Sequence, residues 1–161
     1  MYTLLIFLHV LGAVVFAVGH GASVAVAFRM RRETEHARIA AMLDVSSWSK
    51  ALMYWGLVIT VVPGVALGFM GGYWGTWWLW ISIVLLVAVM GAMYSIATPA
   101  FRKLRVATGA ELSTPSQKKA VGLDTEGAIE AMATSWRPAA LAIVGGVGFA
   151  IILWLMIAQP F

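Results

Sequence analysis

The sequence predicts an all-α, polytopic membrane protein, an antiparallel bundle of four transmembrane helices. Three observations support this fold class. Hydrophobic residues make up 61% of the 161 residues and charged residues only 11%, whereas the charged share of a soluble domain is about a quarter. Four apolar runs are long enough to cross the hydrocarbon core of a bilayer, which takes about 20 residues. Finally, the basic residues fall only between alternate runs.

The four runs predict spans at about residues 2–28, 48–70, 77–101 and 138–158. The first run has no charged residue and no basic residue before it, which favours a retained helix over a secretory signal. The second and third spans are joined by a short turn at Gly71 and Gly72. Short antiparallel connections of this kind give an up-down-up-down bundle. We therefore expect a single membrane domain over residues 1–161.

The charged segments between the spans predict the orientation. All eleven basic residues lie within residues 29–50 and 102–137. Basic loop residues resist translocation, so we expect the segments 29–47 and 102–137 in the cytoplasm and both termini outside. Their charge suits the anionic headgroups of the lipid bilayer, and no nucleic acid partner is needed to explain it. The chain has no cysteine, which excludes disulfides and thiolate metal sites.

Both cytoplasmic segments are expected to carry helices. The stretch "ETEHARIAAMLDVSSWSK" lacks Gly and Pro, which predicts one helix from near Thr34 into the second span. The capping pattern "TPSQ" at 114–117 predicts a short helix to about residue 121. Further on, Ile129 and Met132 share one face of an amphipathic helix that leads into the fourth span, whereas Glu130 is expected to face water.

Two histidines, His9 and His20, lie within the first span. Eleven residues of helix place them within about 20° on one face and about 16 Å apart along the axis. An ionisable side chain inside a membrane is a candidate functional group. Each imidazole could instead be neutral and hydrogen-bonded to a neighbouring carbonyl, or to Thr60 or Ser95. The third histidine, His36, is expected to be a solvated surface residue.

Imidazole is a common ligand of haem iron and of transition metals, so His9 and His20 are candidate metal ligands. His20 is expected at the depth of Met93, a candidate thioether ligand, and His9 near the depth of Pro63. Five glycines were predicted to leave space for a planar macrocycle. They are Gly12, Gly19 and Gly21 on the first span and Gly145 and Gly146 on the fourth. Each could equally serve close helix packing. A thioether pair, Met90 and Met93, would also suit Cu(I).

The stretch "LHVLGAVVFAVGHGASVAVAFRMRRE" resembles the first helix of a group of small bacterial membrane proteins. An uncharacterised four-helix family of predicted integral membrane proteins resembles the whole chain in length and topology. More distantly, the stretch is similar to the membrane part of copper resistance D proteins and to the J-type protoporphyrinogen oxidase. The latter resemblance implies that His9 is a haem ligand. It also implies location in the bacterial plasma membrane.

Three functions fit these patterns. The first is a b-type haem protein for electron transfer or for an oxidase complex, with His9 and His20 as ligands. The second is a cofactor-free accessory or assembly subunit whose glycine-rich faces pack on a partner. The third is a copper-handling permease. With three histidines in the chain, two bis-histidine haems would require a homo-oligomer. The alternative is a methionine or water as the second ligand.

Overall fold

A computed structural model describes residues 1–110, 112 and 125–160. Most of these residues are helical. Four helices are long and apolar enough to cross a membrane. The elements are α1 (Tyr2–Met30), α2 (His36–Gly71), a 3-10 turn (Tyr73–Gly75), α3 (Trp77–Thr108), α4 (Ala128–Ala133) and α5 (Arg137–Ala158). The predicted fold class is confirmed, with four helices able to span a membrane. The helix predicted at 114–121 lies outside the described residues.

The helices associate as two pairs, α1 with α2 and α3 with α5, and the α1–α2 contact is the most extensive. Glycines let the first pair approach closely. A Cβ on Gly12 would lie 2.5 Å from the backbone nitrogen of Thr60, and one on Gly56 would lie 2.5 Å from that of Phe16. In the second pair, Gly148 admits the side chain of Val89. Because the backbones nearly touch, dispersion forces act along the whole length of α1.

Fully buried side chains concentrate at the two ends of the bundle. At the end that carries the charged segments, here called the charged end, one cluster joins α1, α2, α3 and α4. Its members are Ala27, Met30, Ile39, Leu43, Phe101, Leu104 and Met132. At the opposite, uncharged end, Trp78 and Leu79 pack against Leu155. In the most apolar 18-residue window of each span, only 17–22% of the residues are fully buried within the protein, and the others are half-buried or exposed.

Arg105 fixes α3 against α2 at the charged end. Its guanidinium is 3% exposed and donates to the carbonyl oxygen of Leu43 and to Ser47 Oγ at 2.6 Å. It also pairs with Asp44 Oδ1 at 3.2 Å. A planar guanidinium can serve several acceptors at once. The apolar core of the charged end is therefore closed by a satisfied polar network.

The surface helix before the fourth span is shorter than expected. Met132 is buried and Glu130 is exposed, as predicted, but α4 ends at Ala133 and α5 begins only at Arg137. Pro138 occupies the first turn of α5, where its missing N–H costs nothing, but within a continuous helix its ring would clash with the carbonyl of Thr134, four residues earlier. The amphipathic stripe is thus interrupted before it reaches the membrane span.

Candidate intramembrane histidine site

His9 is tethered to the neighbouring helix. Its Nδ1 lies 2.7 Å from the carbonyl oxygen of Thr60 on α2. A carbonyl can only accept, so Nδ1 carries the proton and donates it. The other ring nitrogen, Nε2, makes no hydrogen bond within the described residues. His9 is therefore hydrogen-bonded through Nδ1 to a carbonyl of a neighbouring helix, which was one of the two possibilities expected from the sequence. When the ring is neutral, Nε2 keeps a free lone pair.

Two features of α2 bring the ring of His9 this close. Gly64 has no side chain where a Cβ would lie 2.8 Å from His9 Nδ1 and 2.9 Å from Cε1. Pro63 removes the helical hydrogen bond to the carbonyl of Ile59, four residues earlier, and its ring crowds the turn that contains Thr60. Thr60 stands three residues before Pro63. The predicted depth of His9 near Pro63 agrees with this contact.

The same arrangement recurs on α3. Arg137, the first residue of α5, donates from Nη1 to the carbonyl oxygen of Ile96 at 2.5 Å. Ile96 stands three residues before Pro99, just as Thr60 stands three residues before Pro63. In each helix pair, a side chain of one helix thus donates to the proline-containing turn of the other. The donor is an imidazole within α1 and a guanidinium at the charged end of α5.

His20 packs on α5. Its ring lies over Gly145, where any Cβ would overlap Nε2 and Cε1. One helical turn away, the rings of Phe16 and Phe149 stack with centroids 6.5 Å apart. The predicted equal depth of His20 and Gly145 agrees with this contact. The absent side chain at Gly145 thus makes room for an imidazole that is already part of the protein.

The two ring nitrogens of His20 have different surroundings from those of His9. Nδ1 is enclosed and has no hydrogen-bond partner within the described residues, while Nε2 lies against Gly145. The hydroxyls expected to satisfy this ring are used elsewhere. Thr60 donates to the carbonyl of Gly56 at 2.8 Å, and Ser95 donates to that of Ala92 at 2.8 Å. An unpaired buried nitrogen costs free energy, and no hydrogen bond within the described residues holds the ring. His20 is therefore kept in place by its packing against Gly145.

The glycines of α1 have different environments. The space expected for a planar macrocycle beside Gly12 and Gly19 is filled by α2, since a Cβ on Gly19 would lie 2.9 Å from the backbone of Met53 and Ser49. Gly21 has no atom within 4 Å of a Cβ and is exposed. The close-packing alternative therefore describes Gly12 and Gly19, and Gly21 faces outward because it points away from both neighbouring helices.

The remaining candidate residues lie on α3 and α5. Gly146 is exposed, with open space around a Cβ, so only its neighbour Gly145 meets His20. Met93 is buried at 7% exposure, and Met90 is half-buried. Within residues 1–110, 112 and 125–160, no group of three or more His, Asp or Glu side chains comes together as a metal site. Each of the two intramembrane histidines is therefore a single candidate ligand.

The sequence matches one described family over nearly its whole length. The sequence profile of the family described as "Predicted integral membrane protein (DUF2269)" matches residues 3–160. The chain belongs to this family. No curated protein and no solved structure matches it. The four apolar helices of this DUF2269 protein agree with the family's description as integral membrane proteins.

Sequence reasoning named a neighbouring carbonyl or Thr60 as a possible partner of His9 in the DUF2269 chain, but it missed the space left by Gly64. The signal was present, because Gly64 follows Pro63 directly and lies one helical turn after Thr60. It also missed Arg105, whose position at the end of an apolar run resembles that of a solvated loop residue. His36 is exposed at the start of α2, as expected.

The loop between α1 and α2 is held by a carboxylate. Glu33 Oε1 accepts the backbone N–H groups of Thr34 at 3.2 Å and Glu35 at 3.3 Å. The other oxygen lies 3.8 Å from the guanidinium groups of Arg29 and Arg38. The Glu35 N–H above all, then the Thr34 N–H and the two arginines, lowers the pKa of Glu33 below 4.5 against the opposing effect of desolvation. This carboxylate therefore stays ionised at neutral pH.

Proposed function

We propose that this protein is a small b-type haem protein in which His9 is an axial ligand, serving electron transfer or a membrane oxidase complex. The observation that carries the proposal is the hydrogen bond from His9 Nδ1 to the carbonyl of Thr60 at 2.7 Å. Metal-bound histidines typically donate their second ring N–H to a carbonyl or carboxylate, which fixes the tautomer and the orientation of the ring. The resemblance of the first helix to the oxidase supports the same residue.

The residues around His9 fit this role. The tether on Nδ1 leaves Nε2 as the ligand nitrogen, and the notch at Gly64 fixes the plane of the ring. Bound haem would supply reversible one-electron chemistry. The protein's own part is to orient the imidazole, to raise its basicity through the Thr60 carbonyl, and to keep water away. The second ligand of an iron on His9 would be a water or a residue of a second copy in a homo-oligomer. Met93, expected at the depth of His20, is the candidate second ligand only for an iron on His20.

His20 is the weaker ligand candidate. Its Nε2 faces the backbone of Gly145 and its Nδ1 is enclosed, so an iron atom could reach neither nitrogen without separating α1 from α5. We infer that His20 contributes packing between these helices. It would become a ligand only in a state with α5 displaced.

Absorption spectra of the purified full-length protein test the proposal. Protein from haem-sufficient cells should show a Soret band and, on reduction, α and β bands. His9→Asn is the sharpest variant, since its amide nitrogen takes nearly the position of Nδ1 and keeps a donor for Thr60, but offers no imidazole to iron. We expect His9→Asn to fold and to lose the spectrum, while the matched control His36→Asn keeps it.

Two glycine variants distinguish the histidines. Gly64→Ala would press on the ring of His9 and should shift the reduction potential, because the axial imidazole tunes the iron. Gly145→Ala would press on the ring of His20 and should leave the potential unchanged. A colourless protein that stays colourless after haem addition, or a potential that follows Gly145→Ala alone, would overturn the assignment to His9.

The second candidate function is a cofactor-free accessory or assembly subunit, whose partner protein would pack on the exposed Gly21 and Gly146 rather than on Gly12 and Gly19. The latter two glycines have a full structural explanation in the contact with α2. A colourless preparation would support this function. The copper-handling alternative, with His20, Met90 and Met93 as ligands, would instead appear as copper retained through purification and lost in Met93→Leu.

The proposal includes a location and an orientation. A bacterial plasma membrane protein with both termini outside would place the charged end in the cytoplasm, as its arginines and lysines favour. His9, in the half of α1 nearer the N-terminus, would then lie in the outer leaflet. Its electron partner would be another protein of a membrane redox complex.

A further inference from the structure

A cavity of about 570 Å³ opens at the charged end, where α1 ends. Among the residues that the structure describes, it is lined by Phe28, Arg29, Arg31, Arg32 and Ala133. Three of them are arginines and none is acidic. A concave site with this lining attracts an anion, and the arginines lie at the boundary between the apolar run of α1 and the polar loop. That boundary is the depth of lipid headgroups.

The arginines of the cavity keep donors for a ligand. Arg31 uses Nε for the carbonyl of Ala133 at 3.2 Å, which directs its guanidinium along the wall. Arg29 reaches Glu33 only at 3.8 Å. Arg32 is exposed, and its side chain makes no hydrogen bond or ion pair within the described residues. The planar fork of a guanidinium matches two oxygens of a phosphate.

An apolar track on α1 leads from this cavity into the membrane. Val18, Gly21, Ala25 and Phe28 follow one another at spacings of three and four, which places them on one face of the helix, and all four are exposed. Gly21 leaves a gap in this face, since nothing lies within 4 Å of a Cβ there. From Phe28 to Gly21 the track is about 10 Å long. It is shaped to receive a flexible hydrocarbon chain.

We propose that this cavity is a binding site for an anionic phospholipid, with the phosphate held by Arg29, Arg31 and Arg32 and one acyl chain lying along α1 past Gly21. The basic cavity and the apolar track are continuous through Phe28, and a free phosphate would use only the first of them. The site is independent of haem. Such a lipid would brace the ends of α1 and α4, which meet through Arg31 and Ala133.

Native mass spectrometry of the full-length protein in detergent tests the headgroup. Dioleoyl phosphatidylglycerol should be retained and dioleoyl phosphatidylcholine should not. Arg32→Gln should weaken retention about fivefold, the value of about 1 kcal/mol for one basic residue near an anionic lipid surface. The matched control is Lys103→Gln, which removes the same charge from an exposed position at the same end but does not line this cavity. Circular dichroism should show the same helix content in all variants.

The acyl track is tested by a second matched pair, Gly21→Leu and Gly146→Leu. Both glycines are exposed with open space around a Cβ, so both leucines fit the fold, but only the first would block the track. We expect Gly21→Leu alone to reduce phosphatidylglycerol retention. Equal retention of the two lipids, or equal effects of Arg32→Gln and Lys103→Gln, would overturn the proposal. So would displacement of the lipid by inorganic phosphate with no effect of Gly21→Leu, which would indicate a free-anion site.

Discussion

The close contact of α1 with α2 makes a quantitative prediction for Gly12→Ala. The new Cβ would lie 2.5 Å from the nitrogen of Thr60 and 2.7 Å from the carbonyl carbon of Ile59, and ordinary contact begins at 3.4 Å. Both atoms belong to backbone, so no rotamer change relieves the overlap. The two helices must separate locally by about 0.9 Å, which forfeits a quarter to a half of each affected dispersion contact.

The expected cost follows from these distances. Overpacking of a tight contact costs about 1–3 kcal/mol, and the better helix propensity of Ala over Gly offsets up to about 1 kcal/mol. We expect Gly12→Ala to lower the free energy of unfolding by about 1–2 kcal/mol. The same separation would stretch the bond between His9 and Thr60 from 2.7 Å to about 3.6 Å, a distance at which no hydrogen bond remains. Affinity for the proposed haem would fall with it.

Unfolding in mixed micelles, followed by tryptophan fluorescence as the fraction of denaturing detergent rises, measures the effect. Gly91→Ala is the matched control, because Gly91 lies on a membrane helix with nothing within 4 Å of a Cβ. It should unfold at the wild-type midpoint or slightly later. If Gly12→Ala unfolds with the same midpoint as Gly91→Ala, then α1 and α2 are not held in close contact at Gly12.

The remaining predictions concern acid stability and orientation. Because the N–H of Glu35 and neighbouring cations lower the pKa of Glu33 below 4.5, its contribution is complete above pH 4.5 and is lost as the pH falls through the lower folded-state pKa. Thermal midpoints at neutral pH and at pH 3 should therefore differ less in Glu33→Gln than in wild type, and an equal difference would contradict the assignment. In intact cells, a membrane-impermeant thiol reagent should label Gly72→Cys and Gln159→Cys but not Ser116→Cys, and the reverse pattern would invert the orientation.

The sequence predicted the helices well because their signals are local. Runs of apolar residues and the turn at Gly71 and Gly72 depend only on neighbouring residues, and the helix predicted from near Thr34 begins at His36. The depth of His20 opposite Gly145 was also predictable, since the rise per residue is fixed in every span. Depth along a helix is thus readable from sequence whenever the ends of the spans are known.

The directions in which helices face could not be predicted in the same way. Gly12, Gly19 and Gly21 look alike in the sequence, yet the first two contact α2 and the third faces outward. Their roles depend on the rotation of α1 about its axis, which is set by contacts with α2 and α5 together. In a soluble protein the polar face of a helix would reveal that rotation. A membrane helix that is apolar all round carries no such mark.

The two proline-containing turns explain what is distinctive about His9. Arg137 donates a hydrogen bond to the turn before Pro99. It does so from the charged end, where a permanent charge can reach water and headgroups. His9 donates a hydrogen bond to the turn before Pro63 from within an uncharged run of α1. A permanent charge at that position would cost free energy. A neutral imidazole can donate there without that cost. A hydroxyl could also donate there, but an imidazole has in addition a second nitrogen with a free lone pair. A purely structural hydrogen bond to Thr60 would not need that second nitrogen.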